Sequence, residues 1–323
     1  MLAKGKTLMM AYGEIKLFAG TGCPELAQRI SNYIHVPLSE WDILRFPNEN
    51  ILVRLHGSVR GQDVYVIHSH NRPIHRSIME MLIAIDCLKR DSAGRITVVI
   101  PYLSYSQSDK KDQPRIPITA RLLANMIEVA GADRWITIDL HSGQIQGFYN
   151  IPGDSLTAFY ILVDYFRKKK LDAVVVTPDL GFAKRGRNYA AELDMPLAFV
   201  EKRRIGNESI REALSLIGSV ENKDVIIVDD LIDTAGSIEQ AVNLVKQKGA
   251  RDVYISATHA VLSDPAAERL KNMPVKEIVL TDTLPIPEHK MLPNMTILTV
   301  AKLLGEVILR SHEGRSVGEL FNE

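Results

Sequence analysis

The stretch Val225-Ile226-Ile227-Val228-Asp229-Asp230-Leu231-Ile232-Asp233-Thr234-Ala235-Gly236-Ser237 carries the clearest structural signal in the chain. Its first four residues are apolar and β-branched, which predicts a buried strand, and residues 234–237 predict a turn. The apolar residues that follow have the spacing of one helix face: Ile238, Ala241, Val242 and Val245. The sequence therefore predicts a strand, a turn and a helix in succession, with two acidic residues at the carboxyl end of the strand.

This turn has the composition of a phosphate-binding site. Ligands of α/β sheets bind at the carboxyl ends of the strands, where a helix N-terminus offers unpaired N–H groups and a partial positive charge. Thr234 and Ser237 add hydroxyl donors, and the Ala-Gly pair between them lets a phosphate approach the backbone. Asp229 and Asp230 offer oxygen acceptors to sugar hydroxyls or to a bridging Mg²⁺. The alternative, a plain turn capped by Asp233 or Thr234, accounts for one acidic residue and not for three, so we predict a sugar 5-phosphate held at both ends.

The bulk composition narrows the class of protein. A chain of 323 residues suggests two domains of roughly 150 residues each. Because 39 basic side chains balance 39 acidic ones, no basic field is available for nucleic acid or an anionic membrane. Cys23 and Cys87 match no metal or redox spacing, which fits a reducing compartment. No apolar run reaches the roughly 18 residues of a membrane span, and no signal peptide is recognisable, so we expect a cytoplasmic protein.

Strand-like and helix-like segments alternate along the chain. The predicted strands are Ile15–Ala19, Val64–His68, Ile96–Ile100, Trp135–Asp139, Ala173–Thr177, Val225–Val228, Val253–Ala257 and Glu277–Leu280. The predicted helices are Pro24–Ile34, Ser77–Asp86, Ile118–Ala130 and Glu239–Lys248. Repeated βα units imply parallel sheets covered by helices, so the predicted fold is a pair of similar, doubly wound α/β domains.

The two predicted domains are separated by a short boundary. The stretch Ile151–Ser155 is the best candidate for a hinge, which gives domains of residues 1–153 and 154–323. The C-terminal stretch Ile297–Ser311 is predicted to return as a strand and a helix. That last helix is a candidate to pack on the first domain.

Two other predicted strands end in polar residues. Asp139 and His141 fall on one face at the end of the strand Trp135–Asp139, because side chains alternate along a strand. Asp179 follows the strand Ala173–Thr177. His141 and Asp179 are candidates to hold Mg²⁺ directly or through water, and a structural role for each is the alternative.

The charge run Glu201-Lys202-Arg203-Arg204 follows another apolar stretch. A solvated surface is the usual explanation of such a run. Transfer of a polyphosphate group, however, needs cations that balance the charge of the transition state. The run Lys202–Arg204 is therefore a candidate source of such cations.

Taken in order, these motifs resemble those of ribose-phosphate pyrophosphokinases. The 229–237 run resembles the phosphoribosyl-binding loop that this family shares with type I phosphoribosyltransferases. Further matches extend the similarity over nearly the whole chain: Ile100–Tyr102, Pro117–Ala120, Gln144–Phe148 and Thr258-His259. The resemblance implies two phosphoribosyltransferase-like domains. It also implies Mg²⁺-dependent transfer of the diphosphoryl group of ATP to the 1-hydroxyl of ribose 5-phosphate, which gives phosphoribosyl pyrophosphate and AMP.

The resemblance also implies roles for individual residues. The ribose 5-phosphate site would comprise Asp229, Asp230, Asp233, Thr234, Ala235, Gly236 and Ser237. His141 and Asp179 would lie at the Mg²⁺–nucleotide end of the site. Lys202 and Arg204, on a mobile loop, would close over the departing AMP and the transferring phosphates and exclude water.

The predicted nucleotide site departs from the family pattern. The family usually has Arg-Phe-x-Asp-Gly-Glu, supplied by a neighbouring subunit; here Phe46 keeps the aromatic face, while Asn48 and Asn50 replace the two carboxylates. A second family segment reads Arg-Gln-Asp where this chain has Gln107-Ser108-Asp109. Loss of the Arg donor weakens nucleotide binding by roughly 1.5–3 kcal/mol, and the combined changes leave the preferred nucleotide open. The shared site implies self-association, from a dimer to a hexamer.

Regulation of the kind usual in the family is not expected. The stretch that the family uses for control by phosphate and ADP reads Asp112–Ile116 here and keeps only Arg115 of its expected charges.

Three functions compete at this point. The leading hypothesis is an active ribose-phosphate pyrophosphokinase, because the sugar loop and the Lys202–Arg204 cluster are both present. The second is a non-catalytic regulatory paralogue, which the altered nucleotide site favours. The third is a phosphoribosyltransferase, which shares the acidic loop but explains neither the doubled architecture nor the cationic cluster.

Overall fold

The computed structural model describes the backbone of residues 12–205 and 211–320. It also describes the side chains of these residues, except for 202–205, 211–213 and 319. In this part of the chain, no helix is long and apolar enough to cross a membrane.

Strands and helices alternate through the described residues. The strands are β1 (Ile15–Ala19), β2 (Trp41–Arg45), β3 (Ile51–Leu55), β4 (Asp63–Ile67), β5 (Arg95–Ile100), β6 (Arg134–Ile138), β7 (Gly153–Leu156), β8 (Ala173–Thr177), β9 (Leu197–Ile205), β10 (Arg211–Ile217), β11 (Asp224–Ile232), β12 (Val253–Ala260), β13 (Glu277–Thr281) and β14 (Met295–Leu298). The helices are α1 (Pro24–Ile34), α2 (Ile74–Arg90), α3 (Thr119–Ala130), α4 (Phe159–Lys169), α5 (Ala183–Leu193), α6 (Gly236–Gln247), α7 (Ala266–Asn272) and α8 (Ala301–Glu313).

These elements form two compact units. The first unit ends at Leu156 and resumes at Ala301, so it contains β1–β7, α1–α3 and the last helix, α8. The second unit spans Thr157–Val300. The description of residues 1–153 and 154–323 as two phosphoribosyltransferase-like domains stays a prediction.

The first unit is built on a parallel sheet with the strand order β1-β4-β5-β6-β7. All five residues of β4 are buried, as expected for a strand inside a parallel sheet. Val64, Val66 and Val98 join residues of α2 and α3 in one apolar cluster. The strands β2 and β3 form a separate antiparallel hairpin whose second strand packs against α2.

The fully buried carboxylate of Asp63 connects α8 to this sheet. Arg95 donates to both oxygens of Asp63, from Nε at 2.7 Å and from Nη2 at 2.6 Å. Tyr65 Oη lies 3.0 Å and His312 Nδ1 lies 2.8 Å from Asp63 Oδ2. Arg95 Nη2 also donates to the carbonyl oxygen of Ser311 at 3.1 Å. Because Ser311 and His312 belong to α8, this network binds the last helix to the first unit.

The second unit has the strand order β10-β9-β8-β11-β12-β13-β14, in which β9 and β10 pair antiparallel and the other neighbours pair parallel. The strand β11 lies between β8 and β12, where Val225 pairs with Val174 on one side and with Val253 on the other. Residues 224–228 are all buried, and Val225 packs in one cluster with Ile238 of α6. The apolar start of β11 is therefore fixed at the centre of the unit.

The predicted alternation of strands and helices in an α/β fold is confirmed, with differences at the ends of elements. The strand β11 extends to Ile232, so the acidic pair lies within the strand and not beyond it. The helix α6 begins at Gly236, before the predicted start at Glu239. Gly153–Leu156 form β7, which bonds to β6 at the edge of the first sheet, and the first unit ends at Leu156. The hinge at 151–155 stays a prediction.

The Asp63 network generates a prediction about stability. We expect Asp63→Asn to destabilise the first unit by about 3–5 kcal/mol, because it leaves the Arg95 guanidinium with an incomplete set of buried partners. Scanning calorimetry measures this loss as a lower unfolding temperature. The matched control is Asp86→Asn, which breaks the exposed pair with Arg90 at 2.7 Å and is expected to change stability by about 0.5 kcal/mol or less. Equal shifts in the two variants would contradict the prediction.

Candidate active site

Three carboxylates come to one edge of the second sheet. The strands β8 and β11 pair in register up to Val176 and Ile227, so their carboxyl ends are neighbours. Asp179 follows β8, while Asp229 and Asp230 occupy the last part of β11. The parallel register thus explains why candidate residues that are far apart in sequence lie at the same edge.

Asp229 and Asp230 are adjacent carboxylates, and the negative charge of one disfavours ionisation of the other. Asp230 is buried and Asp229 is half-buried, and the Asp230 N–H donates to Asp229 Oδ1 at 2.9 Å. Burial, followed by the charge of Asp230, raises the pKa of Asp229 well above its usual range, and the charge of Asp179 acts in the same direction. The backbone N–H bond opposes this shift but is outweighed. A site with this excess of negative charge favours a cation or a set of hydroxyl donors.

The loop after β11 leads into a helix N-terminus that lacks a side-chain cap. Asp233 and Thr234 are exposed, whereas Ala235 is buried and has left-handed backbone angles of φ 61° and ψ 11°. Ala235 is the N-cap residue, and its methyl side chain accepts no hydrogen bond from the first turn. Gly236 and Ser237, which were predicted to lie in the turn, are the first residues of α6. Backbone N–H groups at such an N-terminus suit an anion.

The backbone of this loop is fixed from two directions. The N–H of Leu262 donates to the carbonyl oxygen of Ile232 at 2.9 Å, which continues the pairing of β11 with β12. Arg269 on α7 donates from Nη1 to the carbonyl oxygen of Thr234 at 2.9 Å. The sequence analysis did not single out Arg269, because no local pattern connects it to a loop that lies 35 residues earlier.

Asp179 lies in a short turn between β8 and α5. Its Oδ1 accepts the N–H of Phe182 at 3.1 Å, and its carbonyl oxygen accepts the Thr177 hydroxyl at 2.9 Å. A Cβ atom at Gly181 would lie 3.0 Å from Asp179 Oδ1, so glycine leaves room for this carboxylate. The side chain of Asp179 is exposed and available to a ligand.

The other candidate positions belong to the first unit. Phe46, 46% exposed, lies at the turn of the β2–β3 hairpin, where its N–H donates to the carbonyl oxygen of Asn50 at 2.9 Å. Asn48 Oδ1 accepts the N–H of Asn50 at 3.2 Å, so one amide of the predicted nucleotide site shapes the turn. Gln107 is exposed in the segment between β5 and α3. His141 is exposed in the segment after β6.

The rest of the predicted nucleotide segment is partly enclosed. Ser108 and Asp109 are half-buried, and the Ser108 N–H donates to the carbonyl oxygen of Tyr105 at 2.9 Å. Tyr105 Oη lies 2.8 Å from His75 Nε2. These contacts hold the backbone beside Gln107 while leaving the Gln107 side chain exposed.

The predicted catalytic cations lie on β9. The backbone positions of Lys202 and Arg204 pair with Leu214 and Glu212 of β10. Their side chains lie outside the described residues, so their role stays a prediction. Among the side chains that are described, no three His, Cys, Asp or Glu residues are grouped so as to hold a metal ion.

The doubly wound sheets define an α/β protein of the type I phosphoribosyltransferase kind. Residues 15–131 match the family model "N-terminal domain of ribose phosphate pyrophosphokinase", and residues 207–322 match "Phosphoribosyl synthetase-associated domain". The chain is 47% identical over 309 residues to a ribose-phosphate pyrophosphokinase of Caldanaerobacter subterraneus, covering 95% of this chain and 98% of that protein. It belongs to the ribose-phosphate pyrophosphokinase family.

Further relatives agree with this assignment. The Bacillus subtilis ribose-phosphate pyrophosphokinase is 43% identical over 314 residues, covering 96% of this chain and 99% of that protein. The crystal structure of a phosphoribosylpyrophosphate synthetase from Mycobacterium smegmatis superposes with a TM-score of 0.89 at 42% identity, covering 93% and 99% of the two chains. The fold and family predicted from the motifs are therefore confirmed, whereas the role of each site residue stays a prediction.

The strained acidic pair generates a prediction about pH dependence. Because the folded protein raises the pKa of Asp229, the unfolded chain ionises this group at a lower pH than the folded protein does. Stability therefore falls as the pH rises from about 3.9 towards the raised pKa. We expect Asp229→Asn to unfold at a higher temperature than the wild type at about pH 8. The difference should shrink as the pH falls towards about 3.9, the ordinary pKa of aspartate.

Melting temperatures over a pH series measure this effect. The matched control is Asp233→Asn, which neutralises an exposed carboxylate in the same loop and should leave the melting temperature nearly unchanged. A stabilisation by Asp229→Asn that grew towards acid pH would contradict the assigned sign.

Proposed function

We propose that this chain transfers the diphosphoryl group of ATP to the 1-hydroxyl of ribose 5-phosphate, giving phosphoribosyl pyrophosphate and AMP. The observation that carries the proposal is the acidic end of β11, which a three-residue loop (233–235) connects to the N-terminus of α6, an end without a side-chain cap. Full-length relatives of 42–47% identity that are named ribose-phosphate pyrophosphokinases support the same reaction. As a member of this family, the chain is an enzyme.

The sugar phosphate is bound at its two ends. The 5-phosphate accepts hydrogen bonds from the N–H groups at the start of α6 and from the hydroxyls of Thr234 and Ser237. The carboxylates of Asp229 and Asp230 accept hydrogen bonds from the ribose hydroxyls. In the reaction, the 1-hydroxyl oxygen bonds to the β-phosphorus of ATP, the bond from that phosphorus to the α-phosphate oxygen breaks, and the hydroxyl proton is lost.

Mg²⁺ fits the donor set of this site. The second unit provides the exposed carboxylate of Asp179 beside the acidic pair. His141, an exposed residue of the first unit, stays a candidate ligand on the family resemblance alone. Protein Mg²⁺ sites often consist of one or two carboxylates, several waters and the substrate phosphates, so a complete protein cage is not required. When bound, the cation neutralises phosphate charge as AMP leaves. The protein's own part is to position the reactants and to exclude water.

The nucleotide binds at the positions of Phe46, Asn48 and Asn50 and at the segment Gln107-Ser108-Asp109. The exposed face of Phe46 supports stacking of a base. The family pattern, in which a neighbouring subunit completes this site, supports self-association from a dimer to a hexamer. A cytoplasmic location and the absence of nucleic-acid partners stay predictions from composition.

The sequence analysis also raised a non-catalytic regulatory paralogue, against which the full-length relatives named as enzymes argue. The observation that favours it is the uncharged, exposed side chain of Gln107 at the position where the family has a phosphate-binding Arg. Production of phosphoribosyl pyrophosphate by the purified chain would eliminate this alternative.

Phosphorus NMR of the purified chain with ribose 5-phosphate, Mg²⁺ and ATP tests the proposed reaction. We expect signals of phosphoribosyl pyrophosphate and AMP, and no product when the metal is chelated.

Lys202→Ala and Arg204→Ala should each lower kcat by about a hundredfold, because each removes a cation from the transferring phosphates. The matched control is Arg203→Ala, which removes the same charge from the intervening position and should change kcat by about twofold or less. Absence of product with ATP, GTP and CTP would refute the proposal.

The nucleotide site generates a separate prediction. We expect Gln107→Arg to lower the KM for ATP about tenfold, because a charged donor to phosphate contributes about 1.5–3 kcal/mol. Steady-state kinetics with ribose 5-phosphate held saturating measure this change. Gln28→Arg, which adds the same charge at an exposed position of α1, is the control and should leave the KM unchanged. An ATP KM that Gln107→Arg does not lower would place the nucleotide phosphates elsewhere.

A further inference from the structure

Arg269 connects α7 to both the phosphate loop and the first turn of α6. Its Nη1 donates to the carbonyl oxygen of Thr234 at 2.9 Å, and its Nε lies 3.4 Å from Glu239 Oε2. The side chains of Arg269 and Glu239 are 35% and 40% exposed. One guanidinium therefore joins the backbone of the loop to the helix that follows it.

The loop needs such support because one of its residues has an unfavourable backbone conformation. Ala235 adopts the left-handed conformation, which is unfavourable for an L-residue and persists only where neighbouring groups enforce it. Its methyl group is buried in the same apolar cluster as Ala266 and Leu270 of α7. The helix α7 thus holds Ala235 by packing and holds the preceding carbonyl by hydrogen bonding.

The bond to Thr234 also sets the direction of the next amide. In a planar trans peptide the N–H points away from the C=O of the same unit. Because the Thr234 carbonyl points to Arg269, the N–H of Ala235 points to the opposite side. Arg269 therefore orients an N–H donor of the loop without itself binding a ligand.

Gly236, the first residue of α6, also lies beside the Arg269 side chain. A Cβ atom at Gly236 would lie 3.2 Å from Arg269 Nη1, so the guanidinium lies close against the first residue of α6. The pairing with Glu239 offsets the positive charge of Arg269, which separates its role from that of a direct phosphate ligand.

We propose that Arg269 is a positioning residue for the ribose 5-phosphate loop: it fixes the Thr234–Ala235 peptide so that the loop amides face the 5-phosphate. This inference rests on the proposed function for the identity of the ligand. It assigns to α7 a part in sugar-phosphate affinity, separate from nucleotide binding.

Kinetics of three variants test the proposal. Arg269→Met should raise the KM for ribose 5-phosphate roughly tenfold to a hundredfold, the effect of losing a charged hydrogen bond, while kcat and the KM for ATP change by about twofold or less. Arg269→Lys should recover part of the affinity, because one charged donor remains without the planar fork. The control Arg251→Met removes an exposed guanidinium that pairs with Asp224 at the start of β11, and it should leave both KM values unchanged.

Calorimetric titration with ribose 5-phosphate alone separates this inference from the proposed reaction. If the wild type binds ribose 5-phosphate without turnover and Arg269→Met weakens that binding, the positioning role stands and the proposed reaction fails. If Arg269→Met leaves ribose 5-phosphate affinity unchanged, or raises the KM for both substrates equally, the positioning role is refuted. A wild type that neither binds ribose 5-phosphate nor converts it in the presence of Mg²⁺ and ATP would refute both.

Discussion

The in-register parallel pairing of β11 with β8 and β12 is the constraint on which the site depends. Burial of residues 224–228 fixes this register, since a slip of one residue would exchange the two faces of the strand. Once the register is fixed, the carboxyl ends of β8 and β11 must lie side by side. The Asp229–Asp230 pair and Asp179 consequently meet at one edge, although each alone would be stable elsewhere.

The site combines two features that are unfavourable without a ligand. Like charges lie close together at the end of β11, and the next loop contains a left-handed alanine. Both are tolerated because the surrounding sheet and helices determine the backbone independently of them. A ligand that brings a cation and an anion, as a metal-bound sugar phosphate does, would satisfy both features together.

Much of the fold could be predicted from the sequence because its central strands are continuous apolar runs. Ala173–Thr177 and Ile15–Ala19 agree with the predicted strands residue for residue. The β2–β3 hairpin was not predicted, because its exposed residues, such as Leu44 and Leu52, do not follow a buried pattern. The strand β7 was not predicted either, because its four residues, Gly153–Leu156, include no continuous apolar run.

The candidate site, like the fold, could be predicted from the sequence only in part. The acidic residues and the phosphate loop are contiguous in the chain, so their chemistry could be recognised from the order of residues alone. The support of that loop by Arg269 depends on a contact between distant segments, which no local pattern encodes. Likewise, the burial of Asp229 and its repulsion by Asp230 follow from the packing of whole strands. The raised pKa of Asp229 could therefore not be predicted from two adjacent aspartates in the sequence.

The return of α8 to the first unit determines the order in which the chain can complete its folding during synthesis. Asp63 and Arg95 are made early, but His312 and Ser311, which complete their network, leave the ribosome only after all of the second unit. Until then the first unit lacks the helix that its Asp63–Arg95 pair binds, while the second unit already has its full sequence. The first unit, whose synthesis begins first, is therefore the last to receive all of its residues.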